Sequence, residues 1–520
     1  MSTTRIPKCL SRSASLVQAL RRSSPREKGA PVRRSRLVVG AVGVLLLCAC
    51  AAAPPEPPVK VAMPADYAQA QGDWAPAQHL AAAPRGPWWE VFGDPVLNQL
   101  EAQVAQRNRS LAAQLAAYDQ ARAAIAQAQA AYYPTLSAGA AATRSKSASS
   151  STSVAVPGRI GNAVSASATA TWEPDLWGKV RLQVQANRAS AEASAATLRN
   201  TMLSLQGSLA QSYLQLRTVD AQLGLAQNTV RAYAHALRLT ENRYKAGVDT
   251  PADLASAKTQ WLQAQTSLTD FGVARAQLQN AVAVLVGTSP SDFALPADGV
   301  MPVVPVIPPG IPSQLLQRRP DLAAAQAQVE AANAQIGVAQ TAWFPNLTLS
   351  AQAGSQAARV ADLFSVPSLF WSLGPSLAAT LFDGGLRRAQ VASSQAAYRQ
   401  TVANYRQNVL SALQQVEDNL AAQRILAKEA QQQALVVQAA DVSLRLAENQ
   451  YKAGTAPYLN VITAQTTATG ARNAQIVLLN RRYAAAVALI QALGGGWGET
   501  SDEALGSLPG GAPAVVKRAR

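Results

Sequence analysis

The stretch Leu239-Thr-Glu-Asn-Arg-Tyr-Lys-Ala-Gly247 returns 207 positions later as Leu446-Ala-Glu-Asn-Gln-Tyr-Lys-Ala-Gly454. Each copy closes a long run without proline, 175–250 and 376–456. Each ends on Gly, the residue that most readily takes the left-handed backbone just past a helix C-terminus. After Gly247 comes Thr250-Pro251-Ala252-Asp253. A capping Thr, a Pro in the first turn and an acid near the positive end of the dipole start a new helix. Gly247 and Gly454 are therefore expected at the tips of two helical hairpins.

Upstream of each tip runs a seven-residue apolar repeat. Positions 202, 209, 216, 223, 230, 237 and 244 are Met, Leu, Leu, Leu, Val, Leu and Tyr; positions 409, 416, 423, 430, 437, 444 and 451 are Val, Val, Gln, Ala, Val, Leu and Tyr, with Gln423 the one break. Such a period brings helices together in left-handed packing. About 70 residues at 1.5 Å each make a rod of roughly 100 Å, several times a bilayer and faced with Gln and Ala. Two further stretches recur in the same order. Tyr132-Tyr-Pro-Thr-Leu-Ser137 returns as Trp343-Phe-Pro-Asn-Leu-Thr348, and Asp175-Leu-Trp-Gly178 corresponds loosely to Leu381-Phe-Asp-Gly384, displaced by 206. The body is one unit written twice.

Strand patterns stand at the other end of each hairpin, at about 135–143, 164–172, 346–353 and 371–382. Alternation and a length of 8–12 residues fit strands that cross a membrane. Soluble, half-buried hairpins alternate in the same way. Trp172, Trp177, Trp343 and Phe344 are expected near a membrane interface, where aromatics concentrate. Four strands cannot close a barrel, and open edges are not viable in lipid. Two copies would supply eight strands and three would supply twelve.

The net charge of +16 comes from 46 basic and 30 acidic residues. Ten of the bases and one acid lie in 1–49, which leaves 36 and 29, a surplus of 7. That is too little for a nucleic-acid interface, and no nucleic-acid partner is expected. The basic stretch ends at Arg36, and the apolar run Leu37–Leu47 is a signal-peptide core too short to span hydrocarbon. Leu47-Cys48-Ala49-Cys50 follows, then a Pro-rich segment with Pro54, Pro55, Pro57 and Pro58. It resembles the bacterial lipoprotein box, with Cys50 as the lipidated mature N-terminus; an ordinary secretory signal is the alternative. Cys9 is the only other cysteine, so no disulfide staples the body. With His79 and His235 the only histidines, no metal site is expected.

The chain resembles the TolC-like outer-membrane factors, specifically the NodT-type efflux lipoproteins that serve resistance-nodulation-division (RND) pumps. The resemblance rests on Trp88–Leu100 (WWEVFGDPVLNQL), Trp172–Arg181 (WEPDLWGKVR), Arg318-Arg-Pro-Asp-Leu322, Ala331–Gly337, Phe344-Pro-Asn-Leu347 and the two Tyr-Lys-Ala-Gly tips. It implies a mainly α fold with a membrane β-barrel. A homotrimer of the duplicated strand and long-helix-hairpin unit would close a 12-stranded β-barrel, continued by a periplasmic α-helical barrel. Function is then a passive exit duct in the bacterial outer membrane, lipid-anchored and reaching into the periplasm. Drugs or other small toxic compounds would pass through it from an inner-membrane RND-type pump. The hairpin tips Ala246, Gly247, Val248, Ala453, Gly454 and Thr455 would meet a periplasmic membrane-fusion adaptor. By resemblance, the residues at the closed aperture match Asp253 and Tyr451, with Asn460 and Thr463 at the pore-lining aspartate positions and Ala456 at the arginine position. Those departures weaken an ionic lock and leave an Asp253–Tyr451 hydrogen bond as the expected remnant.

Boundaries follow: a lipoprotein signal peptide over 1–49, a lipidated tether over 50–87, the first repeat over 88–300, a Pro-rich linker over 301–311, the second repeat over 312–495 and a tail over 496–520. There is no Walker loop, nucleophile elbow or zinc-binding His pair, and Gly494-Gly-Gly-Trp-Gly498 reads as a helix stop. Neither an enzyme nor a cofactor is expected. The competing functions are an outer-membrane duct for type I protein secretion and, in a different class, a periplasmic coiled-coil adaptor or scaffold lipoprotein.

Overall fold

The computed structural model describes residues 63–65, 67–70, 87–146, 160–307, 312 and 315–495. Cys50, the leader and the tail 496–520 lie outside the described residues. In chain order the elements are α1 (Pro95–Arg107), α2 (Arg109–Ala130), β1 (Thr135–Lys146), β2 (Ile160–Trp172), α3 (Lys179–Lys245), α4 (Pro251–Leu285), the short α5 (Leu315–Arg318), α6 (Pro320–Thr341), β3 (Asn346–Ala357), β4 (Leu369–Ala378), α7 (Leu386–Lys452) and α8 (Tyr458–Ala492).

Duplication is visible in the lengths. α3 and α7 have 67 residues each and α4 and α8 have 35 each, every start displaced by 207. α2 and α6 have 22 each and β1 and β3 have 12 each, displaced by 211. The elbows before the long helices correspond at a displacement of 207, one more than the 206 expected from Asp175–Gly178 and Leu381–Gly384. Gly178 pairs with Gly385, since both are left-handed N-caps, φ 79° and 94°. Asp175 and Asp383 do the same work there: Asp175 accepts from the Val180 and Arg181 N–H, and Asp383 from those of Gly385 and Arg387.

α3 and α4 form the first hairpin and α7 and α8 the second, and α8 also lies along α3. α6 packs on both α3 and α7, which fastens the repeats together. The heptad positions are why these helices pair: Leu209, Leu216, Leu237, Val409, Val416 and Tyr451 are buried. The main core lies between the strands and the tips and gathers Tyr67, Trp88, Phe92, Leu97, Tyr213 and Tyr483. A polar knot braces it. The Arg217 guanidinium, 2% exposed, donates to the Tyr213 hydroxyl at 2.9 Å and to the Pro296 carbonyl at 3.2 Å. The Tyr213 hydroxyl in turn donates to Asp94 at 2.6 Å. Asp220 receives Arg275 at 2.7 Å. The knot is confined to the first repeat: 207 positions on, Leu420 and Ala427 replace Tyr213 and Asp220.

All four strands pair antiparallel in the order β1-β2-β3-β4, so among the described residues one edge of β1 and one edge of β4 are unpaired. β4 runs over 369–378 and does not reach 382, because its neighbour β3 begins at Asn346, which pairs with Ala378. Leu381 and Phe382 leave the ladder, 94% and 89% exposed. No described helix is long and apolar enough to cross a membrane.

Candidate functional site

Two surfaces are candidates for function: the faces of the sheet and the hairpin tips. Residues directly opposite on neighbouring strands share a face. The register therefore sorts every strand residue. One face holds the rows Leu136–Ala170–Ala351–Leu373, Ala138–Ala168–Ala353–Trp371 and Ala142–Val164–Ala357, with Leu349 and Leu377 below. The other holds Thr135–Thr171–Ser350–Gly374, Ser137–Thr169–Gln352–Ser372 and Gly139–Ser167–Gly354–Phe370. One face is hydrocarbon-like and the other, Phe370 aside, is small or polar.

Between the Leu377 row and the Ala142 row of the apolar face, the one polar residue is Ser355. Its hydroxyl is satisfied by the Ser368 hydroxyl at 2.8 Å and by the Leu363 carbonyl. From Leu369 to Leu377 the apolar band runs about 26 Å along the strand, close to the band of membrane barrels. Trp371 is 80% exposed and Leu373 76% exposed within one chain, a display that water alone does not favour.

Aromatics mark the end where sheet becomes helix. Trp177 stacks on Phe344 with centroids 5.0 Å apart, and its Nε1 donates to the Pro345 carbonyl at 2.6 Å. Trp172 Nε1 donates to the Tyr132 carbonyl at 3.0 Å, and Arg387 lies 4.7 Å over the Trp343 ring. These contacts join both elbows and both strand starts in one collar.

The tips are near copies. Val248 N–H donates to the Arg243 carbonyl and Gly247 N–H to that of Tyr244; Thr455 and Gly454 do the same with Gln450 and Tyr451. These paired bonds satisfy the last helix carbonyls in a Schellman motif, which needs a positive φ at the glycine. Gly247 has φ 74° and Gly454 has φ 76°. Ala246, Val248, Ala453 and Thr455 are exposed beside them.

The polar network at the tips differs from the expected one. Asp253 is not joined to Tyr451. Its carboxylate accepts from the Thr250 N–H at 3.1 Å and hydroxyl at 2.6 Å, closing a capping box at the start of α4. Tyr451 instead donates to Asp249 Oδ2 at 2.5 Å, with the Thr240 hydroxyl 3.4 Å away. Asp249 is also gripped by Arg243 Nε at 3.0 and 3.1 Å, and the Arg243 guanidinium lies 4.6 Å over the Tyr451 ring. Burial, then the bond to Asp249, raises the Tyr451 pKa, so the phenol stays a donor at neutral pH. Asn460 and Thr463 are exposed, and the Thr463 hydroxyl is turned back onto the Leu459 carbonyl at 3.0 Å.

Asp249 and Arg243 were missed in the sequence. A signal was there: Arg243 and Asp249 stand where the second repeat has Gln450 and Ala456. Two opposite charges present together in one copy and absent together in the other point to a pair.

A profile of the family described as "Outer membrane efflux protein" matches residues 100–288 and 311–495. The probable efflux pump outer membrane protein TtgC of Pseudomonas putida is 31% identical over 471 residues, 89% of this chain and 96% of that protein. The pyoverdine export outer membrane protein OpmQ of Pseudomonas putida is 32% identical over 461 residues, 87% of this chain and 96% of that protein. Among solved structures, the outer-membrane channel OprN superposes with a TM-score of 0.77 at 27% identity, over 86% of this chain and 99% of that one.

Proposed function

Because this chain belongs to the outer membrane efflux protein family, we propose that three copies join edge to edge into a 12-stranded barrel that is the exit duct of a tripartite efflux system. The carrying observation is the two-faced sheet with both edges open. Its apolar face suits hydrocarbon and its polar face suits a water-filled lumen. Open edges in lipid leave backbone groups unsatisfied, so neighbouring copies must supply the missing partners. Strand direction permits this, since β4 of one copy and β1 of the next run antiparallel.

The pump supplies the energy, and the duct conducts small toxic compounds passively. Cys50 carries the lipid after removal of 1–49, and residues 50–87 tether it to the two repeats, 88–300 and 312–495, joined through 301–311. The exposed tips at Gly247 and Gly454 are the contact for a periplasmic membrane-fusion adaptor, which leads to an inner-membrane RND-type pump. At the tips, the Arg243–Asp249–Tyr451 bonds hold the first hairpin against the second and keep the aperture narrow.

Planar-bilayer recording of the purified protein tests this. Wild type is expected to conduct ions from a low resting level. Asp249→Ala removes charge-assisted bonds worth about 2 kcal/mol, roughly a thirtyfold shift toward the open population, while Asp253→Ala leaves the resting level unchanged. A wild-type protein that never conducts sinks the duct. A resting level set by Asp253 rather than Asp249 sinks the lock.

A further inference from the structure

We infer that the end of the sheet far from the helices carries a binding site for phosphorylated lipid headgroups, built on Arg144 and Lys146 with Arg359 beside them. This rests on the duct reading, which puts that end at the outer surface of the membrane.

Parity is the first observation. On β1, Thr143 and Ser145 fall on the polar face, while Arg144 and Lys146 continue the series Leu136, Ala138, Ala140, Ala142 on the hydrocarbon face. A one-residue shift would have put both cations in the lumen. Arg144 lies opposite Asn162 and Lys146 opposite Ile160, in the rows just past Ala142 and Val164. A cation on the lipid side of a barrel strand is strongly disfavoured at mid-membrane and tolerated at the headgroups, which fixes these rows at headgroup level.

Arg359 follows two residues after the end of β3, in extended backbone with φ −130° and ψ 148°. All three cations are exposed, and none forms an ion pair among the described residues. The one described acid at this end is Asp362, three cations against one carboxylate.

The second observation selects a lipid over a free anion. Ser355 lies on the hydrocarbon face and bonds both the Leu363 carbonyl and the Ser368 hydroxyl. That pins the segment between them over the same face. Phe364 and Val366 project from it, 85% and 82% exposed. Apolar side chains for acyl tails thus stand on the same face as the cations for phosphate and deeper in the membrane, since Ser355 lies in the Ala140–Ala166–Leu369 row, four residues short of Arg144. The occupant is an anionic glycolipid of the outer leaflet, whose phosphates meet Arg144 and Lys146.

The test uses the full chain in detergent, titrated with bisphosphorylated lipid A, with its dephosphorylated form and with inorganic phosphate, read by native mass spectrometry. The phosphorylated lipid is expected to bind in preference to both controls. Arg144→Gln/Lys146→Gln should weaken it about 25-fold, at roughly fivefold per cation, and leave the dephosphorylated form unaffected. Arg144→Lys/Lys146→Arg keeps the charges and should restore binding, which separates lost charge from poor folding. Equal binding by the Gln variant overturns the site, and so does equal competition by inorganic phosphate, which would make it a small-anion site. Bilayer conductance is independent: if it persists while lipid selectivity is absent, the duct stands and the lipid site falls.

Discussion

A carboxyl group sealed among apolar side chains records its cost as a displaced pKa. Glu101 on α1 is fully buried, and neither carboxyl oxygen has a hydrogen-bond partner. Burial pushes its pKa up to about 9. The acid is therefore held protonated in the fold and ionised in the unfolded chain between about pH 4.5 and 9. Over that window the folded state binds the extra proton, so stability falls as pH rises, by about 1.4 kcal/mol per unit from this group. Glu101→Gln should remove that slope and raise stability at pH 7 by roughly 2–4 kcal/mol. Thermal midpoints of both proteins at pH 5 and pH 8.5 would show it, and parallel pH profiles would exclude it. Residue-scale features were the least legible in the sequence. Nothing in Gln-Leu100-Glu101-Ala says that the glutamate points inward. At the tip the capping pattern Thr250-Pro-Ala-Asp253 was readable, but the same capping consumes Asp253 locally and hands Tyr451 to Asp249. Local bonds within a turn compete with long-range ones, and the sequence spacing does not rank them.

At the level of elements the periodicities were enough. A seven-residue repeat placed both long helices and a two-residue repeat placed all four strands, because each period projects one physical face. Ends were less readable, since a strand stops where its neighbour stops, as β4 does at Ala378. The one break in the second heptad series is informative. Gln423 is buried, and its Nε2 has no hydrogen-bond partner. An unpaired buried amide costs about 1–3 kcal/mol, and an apolar residue of similar volume removes that cost. Gln423→Leu should raise the thermal midpoint of the detergent-solubilised protein. A lower midpoint would mean that the amide finds its partner in the assembled helical barrel.

For the whole molecule the governing fact is that one chain leaves its sheet unfinished. Leu136 on β1 and Leu373 on β4 share a row of the apolar face, separated within a chain by three strand spacings, about 14 Å. No cysteine lies beyond Cys50. In Leu136→Cys/Leu373→Cys, a thiol cross-linker of about 8 Å is too short to bridge one chain at that spacing. It should yield covalent species of up to three chains, resolved by denaturing electrophoresis. Bands ending at two, or none beyond one, would rule out the threefold ring.

The sorting of strand residues into two faces has a consequence for how such a gene can change. Between strand start and long-helix start, the second repeat is four residues shorter than the first, since the displacement drops from 211 to 207. An even difference leaves the alternation in phase. A single codon gained or lost inside a strand would invert everything beyond it, turning threonines toward oil and leucines toward water. The strands thus behave like a text read in pairs, and drift in length is left to the bends between them.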